Sequence, residues 1–494
     1  MKRYLIIPTI IAACCLCGLS SCDKWLEATS SSQISKDKLF SSRNGFHEAL
    51  TGVYLDMGSA SCYGENCTWY ANEITSLNYT TDNSSSLVAL QKHYYGSTVA
   101  MDIFTQIWKS CYNVIANANA ILEELDKRRD VITSDYEYSL IRGELLGIRA
   151  YVHFDLLRMY GLGRWDNGNE GKMTVPYVTA YSKDVTPQLS YSETVKLLEK
   201  DVAEALELLA DDPVTGNAPE NFESTLNADR YWSYRSRHMN YYAVKALSAR
   251  INMWKRDFDK AEEDASEVID HAFATGLVSW VNADAMVKEI SNDLIDWTFS
   301  SEHVFSLEIT SLYTYVSQFW YSSNPSVNVS LKTEEALFSQ ADENFEEDIR
   351  GRALLLKYNA SGYTSYKFYG STSFASEYRN RMPMIRISEM YLILAECHCR
   401  KAEYEEAFDC LDEIRAHRGY TDPIDRNLHP EPEYLLEFLR ETLGEGQSCF
   451  MLKRLLAEDN EAAAGCGAML EDFAGNTMYP YPTDETTYGR VQEK

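Results

Sequence analysis

A mostly α-helical fold, built from a repeated helical hairpin with a loop-rich insertion carrying short strands, is what this 494-residue chain predicts. Three observations lead there. Apolar residues recur at helical spacing along most of the chain. One two-helix unit occurs twice, at an offset of 146 residues. From about residue 275 to 380 the helical period lapses, and Gly, Ser, Thr, Asn and aromatic residues accumulate instead.

The N-terminus comes first. Lys2 and Arg3 precede an apolar run from Leu5 to Leu19, too short to span a bilayer comfortably. The run ends in Leu19-Ser20-Ser21-Cys22, which resembles a bacterial lipobox. That resemblance implies cleavage before Cys22, acylation of the cysteine and a lipid anchor at the membrane surface. The serine-rich stretch from Asp23 to about Ser42 then reads as a tether or a strap along the body.

Helical periodicity begins at Gly45–Leu55 and resumes at Asp102–Leu125. The loop between them holds Cys62, Cys67, Trp69, Tyr70, Tyr79, Tyr94 and Tyr95. Tyr138–Tyr160 reads as an amphipathic helix, and a glycine-containing loop separates it from a partner over Tyr191–Leu209. Asp211-Asp212-Pro213 stops that partner.

The first copy of the hairpin spans Tyr241 to Asp270. Its Ala249, Phe258, Ala261 and Val268 correspond to Ala395, Tyr404, Ala407 and Ile414 in the second copy, within Arg381–Tyr420. A small residue, an aromatic nine positions on and an alanine three beyond that resemble the tetratricopeptide (TPR) pattern. In the second copy Ile387, Met390, Tyr391, Leu394 and Ala395 make one apolar face, and Leu392 and Ile393 widen it until little of the helix is left exposed. Its partner turns Ala407, Leu411 and Ile414 inward, and Gly419 stops it. Between the copies, His303–Ile309 alternates like a strand and only Glu334–Phe338 looks helical. Tyr434–Leu455 is helical again, followed by a non-helical tail ending in MYPYPTDETTYG.

The formal charge is −28, with no basic block, which argues against nucleic acid as a partner. No G-x-S-x-G, H-E-x-x-H, phosphate loop or paired C-x-x-C is present, so no catalytic residue, metal ligand or cofactor is assigned. Eight cysteines follow Cys22, and export makes disulfides possible. Cys62 and Cys67 bracket a short loop and form the candidate pair. Cys397-His398-Cys399 reads as two buried thiols and a passing histidine, since adjacent helical residues point apart.

The lipobox, the TPR-like hairpins, RMPMIRISEMYLILAEC and LLEFLRETLGEGQSCFMLKRL together resemble the SusD/RagB family of Bacteroidetes outer-membrane lipoproteins. Arg386, Glu389, Met390, Tyr391, Leu392, Ala395 and Glu396 match one family segment; Glu445, Gly446, Gln447, Phe450, Leu452 and Arg454 match the second half of another. Pro480-Tyr481-Pro482 and GIRAYVHFDLLRMYG fit further segments. Ser448 and Met451 depart, standing where the family carries arginine and aspartate, which puts one salt bridge in doubt. The resemblance implies a right-handed superhelical TPR scaffold. It divides the chain into a signal peptide (1–21), an N-terminal helical region (22–235) and a C-terminal region (236–494) containing the insertion.

It also implies a cell-surface protein without enzymatic activity that captures an oligosaccharide or peptide for a SusC-like TonB-dependent transporter. A surface-anchored glycan hydrolase and a TPR adaptor lacking a nutrient ligand are the alternatives. Tyrosine and tryptophan stack on the apolar faces of sugars while amides and carboxylates orient hydroxyls. Two stretches outside the predicted core helices combine these types: Trp69, Tyr70, Asn72 and Tyr79, and Tyr313, Tyr315, Trp320 and Tyr321. The resemblance places ligand contacts in the loops of these same two regions. The charged residues of the family segments, by contrast, are expected to pair with one another inside the fold.

Overall fold

The computed structural model describes residues 36–76, 79–81, 85–163, 168–289, 296–320, 329–331, 348–351, 357–359, 362–365, 367–368, 380–457 and 477–489. The signal peptide, Cys22, Tyr321 and Glu334–Phe338 lie outside them. Among the described residues no helix is long and apolar enough to cross a membrane.

Helix α1 (Arg43–Met57) starts where the Ser42 side chain accepts the Gly45 amide. A run of turns, the short helix Ala71–Ile74 and strand β1 (Tyr79–Thr81) follow. Helices α2 (Thr98–Lys127) and α3 (Asp135–Tyr160) are antiparallel neighbours joined by a short link. The sequence reads α3 as amphipathic, yet from Gly143 to Tyr160 every side is buried. Its polar residues are satisfied internally, with Arg149 donating to both oxygens of Asp201 at 2.7 Å. A Cβ on Gly147 would sit 2.6 Å from Cγ of Met239, so only glycine lets that segment approach so closely.

Helix α4 (Tyr191–Leu208) opens on a capping box of Ser190 and Glu193. The first hairpin is α5 (Tyr241–Lys255) and α6 (Phe258–Ala274). Strand β2 (His303–Glu308), helix α7 (Leu312–Phe319), and strands β3 (Val329–Leu331), β4 (Lys357–Asn359), β5 (Gly362–Thr364) and β6 (Arg381–Arg386) carry the insertion. The second hairpin is α8 (Ile387–Lys401) and α9 (Tyr404–Ala416), and it is followed by α10 (Pro430–Thr442) and α11 (Ser448–Ala457).

The two hairpins are structural equivalents. Ala249, Ala261 and Val268 are as fully buried as Ala395, Ala407 and Ile414. Their turns match as well: Arg256 and Ala402, one offset apart, both adopt the left-handed conformation, with φ of 64° and 59°. A left-handed residue ends each first helix and lets the chain reverse within two positions. Helix α6 packs against α8, so the copies stack. The described apolar interior forms one main core running from α1 through both hairpins to α11.

Several elements differ from the sequence-based reading, among them α7, a helix where the sequence shows no helical period. Arg381–Arg386, inside the predicted helical stretch, is a strand that pairs antiparallel with β2, His303 opposite Arg386 and Glu308 opposite Arg381. That pairing ties the two ends of the insertion together. The helix expected over Tyr434–Leu455 is split at Leu443–Gln447, where Gly444 and Gly446 have φ of 80° and 71°. The break is enforced by packing: a Cβ on Gly446 would lie 2.5 Å from the Thr68 carbonyl oxygen. The tail also forms a short helix, Thr483–Tyr488.

A buried ionic network fastens the insertion to the scaffold. Arg418 reaches Glu302 and Glu441, each at 2.7 Å, and Arg386 reaches Glu441 at 2.7 Å and Glu445 at 2.8 Å. Arg350, from within the insertion, joins Asp348 at 2.7 Å and Glu441 at 2.8 Å. Burial alone would raise the pKa of Glu441, but the guanidinium groups of Arg418 and Arg386 outweigh it and hold its carboxyl well below the usual range. Glu389 pairs with Arg250, Glu396 with Arg454 and Glu437 with Arg440, so the charged residues of the family segments serve the fold.

Candidate functional site

The segments that carry the two stretches singled out in the sequence are tied together at two points. Strand β1 pairs antiparallel with β3, Tyr79 opposite Leu331 and Thr81 opposite Val329. The turn after α1 also touches the start of the insertion, since a Cβ on Gly58 would lie 3.2 Å from Cγ1 of Ile309. Strand β2 therefore leads into α7 alongside the turn that holds Trp69 and Tyr70.

Within that frame the candidates separate. Trp69 is only 1% exposed and donates its indole N–H to the Gly64 carbonyl at 2.8 Å. Asn72, equally buried, donates to the Cys67 carbonyl at 2.9 Å and accepts the Tyr479 hydroxyl at 2.8 Å. Trp320 is 4% exposed. These three side chains have no free face in this structure, which corrects the expectation that they contact ligand. The turn folds back on itself and draws Trp69 and Asn72 into the core, while the apolar face of α7 carries Trp320 inward. Tyr70, Tyr313 and Tyr315 stay half-exposed, Tyr70 and Tyr315 resting on the core below. Tyr79 contributes its backbone to the β1–β3 ladder, and Tyr321 lies outside the described residues.

One polar group escaped the sequence reading. Glu65, half-buried on the same turn, accepts the Tyr70 amide on its carbonyl at 3.1 Å. Burial pushes its carboxyl up to about 7. Burial also raises the Tyr70 phenol, against a hydrogen bond with Ser86. A carboxyl that is partly protonated near neutrality, beside a tyrosine ring, can both donate to and accept from a hydroxyl ligand. Glu65 sits in a Gly-Glu-Asn turn with no periodicity around it, so no local pattern marks it.

The expected Cys62–Cys67 disulfide is not formed. Both cysteines are free and buried, and Cys111 from α2 joins them. The i, i+3, i+4 stripe Ile107, Trp108, Cys111 and Ile115 would have marked Cys111 as inward-facing, though not its neighbours. Cys397 and Cys399 are buried thiols as expected, and His398 pairs with Glu403 at 2.7 Å.

Two other concavities are less suited to a ligand. A groove of about 440 Å³ runs past Trp280, Asn282, Asp284 and Tyr420. Its Trp280 ring is already stacked on His417 at 4.6 Å and tilted against Tyr391 at 5.4 Å. A narrow cavity of about 50 Å³ is lined by the Arg250–Glu389 and Arg454–Glu396 pairs and by Met451. Here the two departures from the family pattern are accommodated without the salt bridge. Ser448 is fully buried with its hydroxyl 3.0 Å from that of Thr442, and Met451 lines the cavity.

The family model described as "Starch-binding associating with outer membrane" matches residues 24–221, and the model described as "SusD family" matches residues 332–489. A SusD-like protein, P25, from Formosa agariphila is 25% identical over 149 residues, a match spanning 28% of either chain. Among solved structures, a SusD superfamily protein from Bacteroides thetaiotaomicron superposes with a TM-score of 0.68 at 17% identity, covering 91% of this chain and 97% of that one. A protein from Bacteroides vulgatus described as a putative sugar binding protein gives a TM-score of 0.65 at 18% identity, covering 83% and 86%. At such identities the structures speak for the fold alone. With models matched at both ends of the chain and this architecture between them, the protein belongs to the SusD/RagB family.

Proposed function

We propose that this chain is a cell-surface lipoprotein, anchored through Cys22, that captures an oligosaccharide without altering it and passes it to a SusC-like TonB-dependent transporter. The observation that carries the reading is the β1–β3 pairing, which ties the segment following Trp69 and Tyr70 to the segment following Tyr313, Tyr315 and Trp320. Tyr70, Tyr313 and Tyr315 remain half-exposed, with Glu65 beside Tyr70. Half-exposed rings and a carboxyl without fixed catalytic geometry suit binding better than bond cleavage. The starch-binding description of the matched model and the sugar-binding description of the Bacteroides vulgatus neighbour support a carbohydrate ligand.

The test is a glycan-array screen and calorimetric titration of the chain beginning at residue 22, with the recovered glycan sized after incubation. Binding with the glycan intact is expected. A shortened glycan would convert the reading to a hydrolase. No glycan bound, with a partner still co-purifying, would favour the adaptor. In cells, Cys22→Ala is expected to abolish fatty-acid labelling and release the protein from membranes.

A further inference from the structure

The turn after α1 and helix α2 bring three thiols to one point. Cys62, Cys67 and Cys111 are 0%, 2% and 0% exposed, and all three sulfur atoms lie within 4.8 Å of one another. The Cys62 and Cys111 sulfurs are 3.9 Å apart. The backbone that presents them is pinned. The Cys67 amide donates to the Cys62 carbonyl at 2.8 Å, and the Ser110 hydroxyl donates to the Ser61 carbonyl at 2.7 Å. The Tyr63 hydroxyl donates to Asp155 at 2.8 Å.

We propose that Cys62, Cys67 and Cys111 form a binding site for a thiophilic closed-shell metal ion of the zinc(II) and cadmium(II) type, supplying three thiolate ligands to it. Three thiolates at metal–sulfur distances of about 2.3 Å stand roughly 3.8–4.0 Å from one another, which matches the 3.9 Å between Cys62 and Cys111 and falls inside the 4.8 Å that encloses all three. A disulfide needs sulfurs about 2.05 Å apart and would use two of the three, leaving the third stranded in the core. Among the described residues no histidine, aspartate or glutamate joins the group, so hard cations that demand several oxygens are excluded. Binding exchanges three S–H bonds for three metal–sulfur bonds. The divalent ion enters, three protons leave, and the centre carries one negative charge spread over three sulfurs. The ion would staple the Trp69-bearing turn to α2, and its binding stands independent of the proposed ligand.

The test uses the chain from residue 22, purified under reducing, oxygen-free conditions and titrated with cadmium(II). Native mass spectrometry should show one ion bound with three protons displaced, and a near-ultraviolet sulfur-to-metal charge-transfer band should rise to one equivalent. Alkylation in mild denaturant, mapped by peptide, should show Cys62, Cys67 and Cys111 protected by the metal while Cys410 is not. Cys111→Ser should weaken binding by about 100-fold or more, whereas Cys410→Ser should leave it unchanged. Because Cys111→Ser could misfold, the protection map of the unmodified chain is decisive. The proposal is overturned by unprotected thiols at the three positions, by no stoichiometric ion, or by a disulfide joining any two of the three in the chain as isolated.

Discussion

The indole N–H of Trp69 donates to the carbonyl of Gly64 at 2.8 Å, inside the turn that a sequence-based reading would leave open to ligand. With the ring 1% exposed, Trp69→Ala removes core rather than a binding surface. The expected loss is about 3–5 kcal/mol of stability, read as a lower Tm and denaturant midpoint. Trp320→Ala should behave in the same direction. A normal melt for either variant would place that ring outside the core.

Tyr70→Ala and Tyr315→Ala should do the opposite. Each removes a half-exposed ring, so calorimetry with the glycan identified by screening should show binding weakened by about 0.5–1.5 kcal/mol beyond lost contact area, several-fold or more in Kd. Thermal unfolding should change less than in the tryptophan variants. Unchanged affinity in both would move the site away from the β1–β3 face.

Arg418 is fully buried between Glu302 and Glu441. Arg418→Met strands both carboxylates and should cost about 3–5 kcal/mol, measured by denaturant unfolding. Acid should mimic it. Glu396 carries a burial penalty, but Arg454 outweighs it and brings its carboxyl from 4.5 down to about 2. Carboxyls depressed in the folded state stabilise it fully above their unfolded value near 4.5, and that contribution disappears as pH falls toward 2. Tm should therefore drop steeply below pH 4.5. A flat profile there would contradict the pairing.

Glu65 runs the other way. Burial lifts its carboxyl to about 7, so the folded chain retains a proton that the unfolded chain releases above about 4.5. Its stabilising contribution is complete below that value and is lost as pH rises through 7. Glu65→Gln, permanently neutral, should show a Tm advantage over the parent that is small at pH 5 and larger at pH 8. An advantage independent of pH would refute the shift.

The sequence by itself determined most of the long helices, the repeated hairpin, the family and the pairing role of the motif charges. Those properties are local or recur within one segment: a helix face repeats every three to four residues, and a buried charge needs a counter-charge whatever surrounds it. The offset linking Ala249 to Ala395 extended to the left-handed turn residues Arg256 and Ala402, which no glycine marked. Only the tertiary structure decided what the loops do. Three-residue strands such as β1 and β3 carry too few side chains for a periodic signal, and their pairing depends on where distant elements bring them. An aromatic in a turn reads the same whether it faces solvent or core. Trp69 is buried because its turn closes over it, and Gly446 breaks a helix because the Thr68 carbonyl occupies the space a side chain would need. The meeting of Cys111 with Cys62 and Cys67 follows likewise from α2 packing beneath that turn, a contact between segments that no spacing along the chain encodes.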